Sequence, residues 1–264
     1  MSAFDVYLTK LAGYIEEMRG RGRQVREIDC PTAVSRLLAG LPVRVGRGAS
    51  SGIILRSDTL VELGNPDAGS CAFVLWTDNP SLVRDGKITL IGPDIQESRE
   101  ASLPFGQVLM VRGAGLSKQE HELLEQSQYV SGQIEGYMIR SMPQRMWSRV
   151  SREAVGKGSS LETLGRALMA IFKSEVPKVE AVETLFVTSS REDVERLDEV
   201  AAQVRHIGKN IVRENWLAKG IDILECTFGW DCRSCEYKPV CDDVRKLITV
   251  RKRKTRKSKT VAKS

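Results

Sequence analysis

The stretch CAFVLWTDNPSLVRDGKITLIGPDIQE, residues 71–97, carries the pattern that decides the fold class. Two short apolar runs, CAFVLW and KITLI, are set apart by the turn formers Asp78-Asn79-Pro80 and Asp85-Gly86. Short apolar runs bounded by such breakers read as strands. The same pattern extends on both sides, from Leu41 to Gly113. VRV, SGIIL, TLVEL and QVLMV read as further strands, with another turn at Gly64-Asn65-Pro66.

Helical spacing takes over at either end. Phe4, Leu8, Leu11, Ile15 and Met18 recur on one face and predict a helix over 4–19. Cys30-Pro31-Thr32 starts a second, short helix, with Thr32 as its N-cap and Leu37 and Leu38 inward. SKQEHELLEQSQYVSGQIEGY reads as one helix from Ser117, where Glu120 completes a capping box. SSLETLGRALMAIFKSEV is another, with Leu161, Leu164, Leu168 and Ile171 inward. ETLFVTS is a strand, and a polar-faced helix opens at Ser190 and Asp193. The order predicts an α+β fold, a mixed sheet with packed helices. We divide it into an N-terminal helical segment 1–40, an α+β domain 41–215, a cysteine-rich metal module 216–250 and a basic tail 251–264.

At 264 residues and 41% hydrophobic, the chain can bury a sizeable core. It has no run of eighteen apolar residues and no secretory pattern at its start, so a cytoplasmic, reducing location is expected. The net charge of +6 comes from the tail: Arg251–Ser264 holds eight of the 40 basic residues and no acid. Without the tail, 32 basic side chains face 34 acidic ones. Such a tail is a solvated, disordered segment or an electrostatic contact with nucleic acid or an acidic protein. It has no aromatic residue to stack on bases.

The segment ECTFGWDCRSCEYKPVC, residues 225–241, places Cys226, Cys232, Cys235 and Cys241 in the spacing C-x5-C-x2-C-x5-C. Four sulfurs so arranged suit a four-iron four-sulfur cluster first and a structural zinc second, with disulfides or free thiols the remaining reading. Cys30 and Cys71 have no partner pattern and read as small buried apolar residues. His121 and His206 read as lone histidines on polar helix faces, without catalytic neighbours.

Several ordered segments carry a family resemblance. LPVRVG leads into SGIILRSDTLVELGNP, and DGKITLIGPDIQE and SLPFGQVLMVRG come after it. LLEQSQYVSGQIEGYMI, PQRMWSRVSREAVGKG, LETLGRALMAIFKSE and VETLFVTSSREDVERL complete the series. Together they resemble the middle portion of acetyl-CoA synthase, the beta subunit of the CO dehydrogenase/acetyl-CoA synthase complex, over about residues 41–195. The family's Glu-Leu-Gly-Gly-Pro segment is matched at Glu62–Pro66, with Asn65 in place of the second glycine. The family's C-x2-C-Q-S-F and Cys-Gly-Cys nickel motifs do not occur in this sequence.

The resemblance implies coenzyme A binding through arginines beside a tryptophan, here Arg140, Arg145, Arg149 and Arg152 around Trp147. Guanidinium forks suit phosphates and an indole suits adenine. Ser141-Met142-Pro143 is expected to end a helix, so that Gln144 and Arg145 begin a new one. Few acids lie nearby in sequence to neutralise these arginines. The function expected is an accessory, electron-transfer or coenzyme A-binding iron–sulfur subunit in anaerobic one-carbon or acyl-CoA metabolism, working with protein partners. The alternative is an acyl-transfer subunit (acetyl-CoA synthase-like) whose nickel site a partner supplies. An iron–sulfur nucleic-acid-associated protein ranks below both.

Protein purified without oxygen is expected to be brown, with about four iron and four sulfide per chain. Cys232→Ser or Cys235→Ser should remove the colour, and Cys30→Ser or Cys71→Ser should keep it. Iron and sulfide analysis checks this; one zinc without sulfide would favour the structural-zinc site.

Overall fold

The computed structural model describes residues 2–46, 48–49, 53–127, 133–141 and 146–218. Its elements are α1 (Asp5–Gly20), β1 (Val25–Asp29), α2 (Val34–Leu38), β2 (Thr59–Leu63), β3 (Ser70–Thr77), β4 (Lys87–Ile91), β5 (Ser102–Leu103) and β6 (Phe105–Arg112). Then come α3 (Lys118–Ser127), β7 (Tyr137–Ser141), β8 (Trp147–Ser151), α4 (Arg152–Gly156), α5 (Leu161–Glu175), β9 (Ala181–Val187) and α6 (Arg191–Ala218). The chain divides into two units, Met1–Val212 and Arg213–Ser264. All nine of these strands lie in the first unit.

Five strands form a mixed sheet in the order β1-β4-β9-β6-β3. β9 runs parallel to β4 and antiparallel to β6. Successive side chains of a strand point to opposite faces, and the apolar residues of this sheet separate accordingly. Val108, Met110, Leu185 and Val187 join α1 and the first turns of α6 in one core. Phe105, Leu109, Val111, Val182 and Phe186 join α2 and α5 in the other. The second core also takes in Val61, Leu63, Leu103 and Val150 from a smaller sheet, ordered β5-β2-β8-β7. The α+β class and the mixed sheet are as expected. Among the described residues no helix is long and apolar enough to cross a membrane.

The helix starts reflect the chemistry of orphan backbone donors. Ser160 Oγ accepts from the Thr163 N–H at 3.1 Å. Ser117 and Glu120 form the expected capping box, with Glu120 N–H to Ser117 Oγ at 3.2 Å and Ser117 N–H to the Glu120 carboxylate. α5 buries Leu161, Leu164, Leu168 and Ile171 as its spacing predicts, and also Ala167, Met169 and Phe172. It is therefore apolar on more than one face.

Several local expectations are corrected. The strand Val25–Asp29 lies where none is expected; it pairs antiparallel with β4. α2 begins at Val34 behind Ala33, without a side-chain cap, so Thr32 is not its N-cap. VRV gives only an isolated bridge, Val45 to Ile134. Residues 53–55 of SGIIL are in no strand. The helix expected over 117–137 ends at Ser127 in α3, and Tyr137 begins β7. His121 lies on no polar face: it is fully buried against Phe4 and Trp76, with ring centroids 5.4 and 6.3 Å away. Burial holds its pKa down at about 4. His206 is exposed on α6, 3.3 Å from the Asn210 amide. Cys71 is buried and Cys30 half-buried, both unpaired.

The junction of α1, β4 and α6 rests on Asp193. Its side chain is wholly buried and accepts from Ser189 Oγ at 2.6 Å, Arg21 Nη1 at 3.2 Å and Arg23 Nη2 at 3.4 Å, with the charged Arg23 Nε 2.9 Å away as an ion-pair contact. The Tyr14 hydroxyl donates to its backbone carbonyl at 2.9 Å. Burial alone would raise its pKa. The hydrogen bonds from Ser189 and Ser190 and the charge of Arg23 outweigh that and leave it lowered. Gly92, at φ +107°, lets the end of β4 come close: a Cβ there would sit 2.4 Å from the Ser189 nitrogen. Asp193→Asn should cost about 2 kcal/mol or more, because Arg23 loses its counter-charge and Arg21 keeps only Glu192. Urea denaturation at neutral pH reads the loss; an unchanged midpoint would show that the junction does not depend on this carboxylate.

Candidate anion and nucleotide site

β2 and β8 are antiparallel neighbours, and Glu62 lies directly across from Arg149. Directly opposed side chains share a face and interact. Arg149 Nε donates to Glu62 Oε1 at 3.0 Å, and its Nη1 donates to the Ile54 carbonyl at 3.2 Å. Trp147, two residues earlier and so on the same face of β8, donates its indole N–H to Glu62 Oε2 at 3.2 Å. Both carboxylate oxygens are thus engaged. Gly64, at φ +68°, brings β2 against the residue before Trp147, where a Cβ would meet the Met146 carbonyl oxygen at 2.4 Å.

Arg140 reaches the cluster through an irregularity. β7 and β8 pair at Ile139–Ser148 and again at Ser141–Trp147, so β7 has one extra residue there. That residue is Arg140. An unpaired bulge residue is re-aimed out of the regular alternation. The Arg140 guanidinium lies over the Trp147 ring, 4.2 Å from its centroid, with Nη1 3.9 Å from Glu62 Oε1. Side-chain exposure is 11% for Arg149, 19% for Glu62 and 34% for Arg140, so the group is half-sheltered. Burial would raise the Glu62 pKa. The hydrogen bonds from Arg149, Asn65 and Trp147 and the Arg149 charge more than offset this and leave it lowered.

Of the expected residues, the structure brings together Arg140, Trp147 and Arg149. Arg152 opens α4 with an exposed side chain, its N–H bonded to the Asp58 carbonyl at 2.9 Å. Arg145, Cys226, Cys232, Cys235 and Cys241 lie outside the described residues. The helices expected on either side of Ser141-Met142-Pro143 are corrected: Tyr137–Ser141 is a strand, and Arg149 lies in another, Trp147–Ser151. The few acids nearby in sequence are not the whole account: Glu62, distant in sequence, meets two of the arginines. Sequence distance hides this acid, which stands 87 residues from Arg149. The available signal was a lone carboxylate alternating with buried apolar residues in TLVEL.

The cluster is a half-sheltered patch rather than a cavity. A concavity of about 340 Å³, lined by Pro93, Ser98, Ser102, Thr188 and Arg191 among others, includes none of Glu62, Arg140, Trp147 and Arg149 in its lining. Chemically, the cluster offers a guanidinium, an indole N–H and a cation-covered aromatic face, with a carboxylate in the anion position.

The family described as CO dehydrogenase/acetyl-CoA synthase complex beta subunit matches residues 41–194. The chain belongs to this family. The match includes β2, β5, β7 and β8 of the small sheet and therefore the whole Glu62 cluster. Among relatives, acetyl-CoA decarbonylase/synthase complex subunit beta 1 of Methanosarcina thermophila is 28% identical over 57% of this chain and 32% of its own length. The subunit beta of Archaeoglobus fulgidus is 29% identical over 57% of this chain and 29% of its own length. That of Methanopyrus kandleri is 29% identical over 75% of this chain and 42% of its own length. The chain thus aligns with about a third to two-fifths of these family members.

Arg149→Met should destabilise the protein by about 1–3 kcal/mol at neutral pH, since it leaves a half-buried carboxylate with fewer partners. A depressed glutamate pKa lends stability above its unfolded value, 4.5, and loses it as pH falls through the folded value. The gap between wild type and variant should therefore narrow below about pH 4.5 in urea titrations. A gap that stays constant with pH would remove Glu62 from the explanation.

Proposed function

We propose that this chain is an accessory subunit of a CO dehydrogenase/acetyl-CoA synthase-type complex that binds coenzyme A or its thioesters. The gathering of Trp147, Arg149 and Arg140 at one place on the small sheet carries this reading. A coenzyme A molecule presents phosphates to guanidinium groups and an adenine to the indole. Family membership and the complex-subunit names of the relatives support protein partners of that kind. Anaerobic one-carbon or acyl-CoA metabolism is the setting that fits.

The second half of the proposal is a four-iron four-sulfur cluster on Cys226, Cys232, Cys235 and Cys241, supported by their spacing alone. Four thiolates would fill its coordination, so the cluster would serve electron transfer or tie the segment together. Arg145 is a further candidate for phosphate contact from the same stretch of sequence.

Coenzyme A should bind with measurable heat and quench tryptophan emission, the quench being smaller in Trp147→Phe. Arg140→Ala and Arg149→Ala should each weaken binding about tenfold, the scale of one charge-assisted contact. Calorimetry without heat at millimolar coenzyme A would discard this role.

A further inference from the structure

The groups that would receive a phosphate and an adenine are already occupied from within the chain. Glu62 places one carboxylate oxygen on Arg149 Nε at 3.0 Å and the other on the Trp147 indole N–H at 3.2 Å. A carboxylate and a phosphate compete for the same guanidinium and N–H donors. Arg140 covers the indole at 4.2 Å from the ring centroid, on a face an adenine would use. The second charge on Arg140 is held by the same acid, with Nη1 3.9 Å from Glu62 Oε1. One carboxylate thus retains both the anion position and the cation that caps the ring.

We propose that Glu62 is an internal competitor which closes this site and selects ligands that carry both a phosphate and a purine. This rests on the coenzyme A reading and adds its regulation. A ligand phosphate takes Arg149 and the indole N–H, and Glu62 withdraws. Arg140, no longer held by Glu62, moves off the ring to the added phosphate charge, and the purine takes its place. Pyrophosphate competes with Glu62 for the same donors but brings no purine to take the ring, and so gains too little to displace the carboxylate. Adenosine can stack but cannot neutralise the arginines. Adenosine 3′,5′-bisphosphate does both. No covalent change is involved.

The test is calorimetry with three probes, pyrophosphate, adenosine and adenosine 3′,5′-bisphosphate, on wild type and Glu62→Gln. Glutamine keeps the size and a hydrogen-bonding oxygen and removes the charge. Wild type should bind the bisphosphate and neither of the other two. Glu62→Gln should bind the bisphosphate about tenfold more tightly and acquire measurable pyrophosphate binding, with adenosine unchanged. Equal or weaker bisphosphate binding in Glu62→Gln would overturn the proposal while leaving the coenzyme A reading intact. Silence of both proteins toward coenzyme A and the bisphosphate would remove that reading and this one with it. A readout in wild type alone guards against a misfolded variant. The Trp147 indole N–H resonance, assigned by its loss in Trp147→Phe, should move when the bisphosphate saturates the site. A resonance that stays fixed while calorimetry shows binding would mean that Glu62 is not displaced.

Discussion

β9 is buried along its whole length, Ala181 to Val187, and the rest of the structure answers to that constraint. A strand covered on both faces needs an apolar layer on each side and a paired neighbour on each edge. β4 and β6 supply the edges. α1 and the first turns of α6 supply one layer, α5 the other. α5 must then be apolar toward more than the sheet, because the small sheet's Val61, Leu63 and Val150 close the same core. Its two buried faces are a consequence of where β9 lies.

The site depends on a different kind of contact. Glu62 and Arg149 meet because antiparallel pairing sets them opposite each other. A surface ion pair of that sort usually contributes little. This one is shielded, hydrogen-bonded at both oxygens and adjoined by an indole, which strengthens its electrostatics. The bulge at Arg140 adds a third partner that regular alternation would have turned away. The result is a small network with one acid serving two arginines and a tryptophan.

Much of the large sheet was legible from residues alone. CAFVLW, KITLI, QVLMV and, as far as Val187, ETLFVTS are apolar enough, and sharply enough bounded, to read as strands, and each lies in one, as does TLVEL in the small sheet. Ser117 and Ser190 marked the starts of two helices because the donors they satisfy are local. Most of the small sheet was not legible. β7 and β8 hold Arg140, Trp147 and Arg149 in place of a clean apolar alternation, and their strand character comes from pairing rather than propensity. VREID, in β1, is polar and finds its place only through β4. For the site, the arginines and Trp147 were found through family resemblance. Glu62 was missed because nothing in its neighbourhood points across 87 residues to Arg149.

What turns a charged patch into a defined site is its attachment to the core. β5 belongs to the small sheet and β6 to the large one, and only Pro104 separates them. Glu62 is registered against Ser102 in β5, and the Gly64 N–H bonds the Leu103 carbonyl at 2.8 Å. Phe105, next along the chain, is fully buried and stacks near Phe186 of β9, with ring centroids 5.9 Å apart. The position of the Glu62 carboxylate is therefore set through two residues of strand and one proline by the most buried part of the protein. Side chains on such supported strands hold a geometry more closely than side chains on loops. Exchange of Glu62 for a ligand anion would then be a side-chain event on a fixed frame, with no need for the sheets to move.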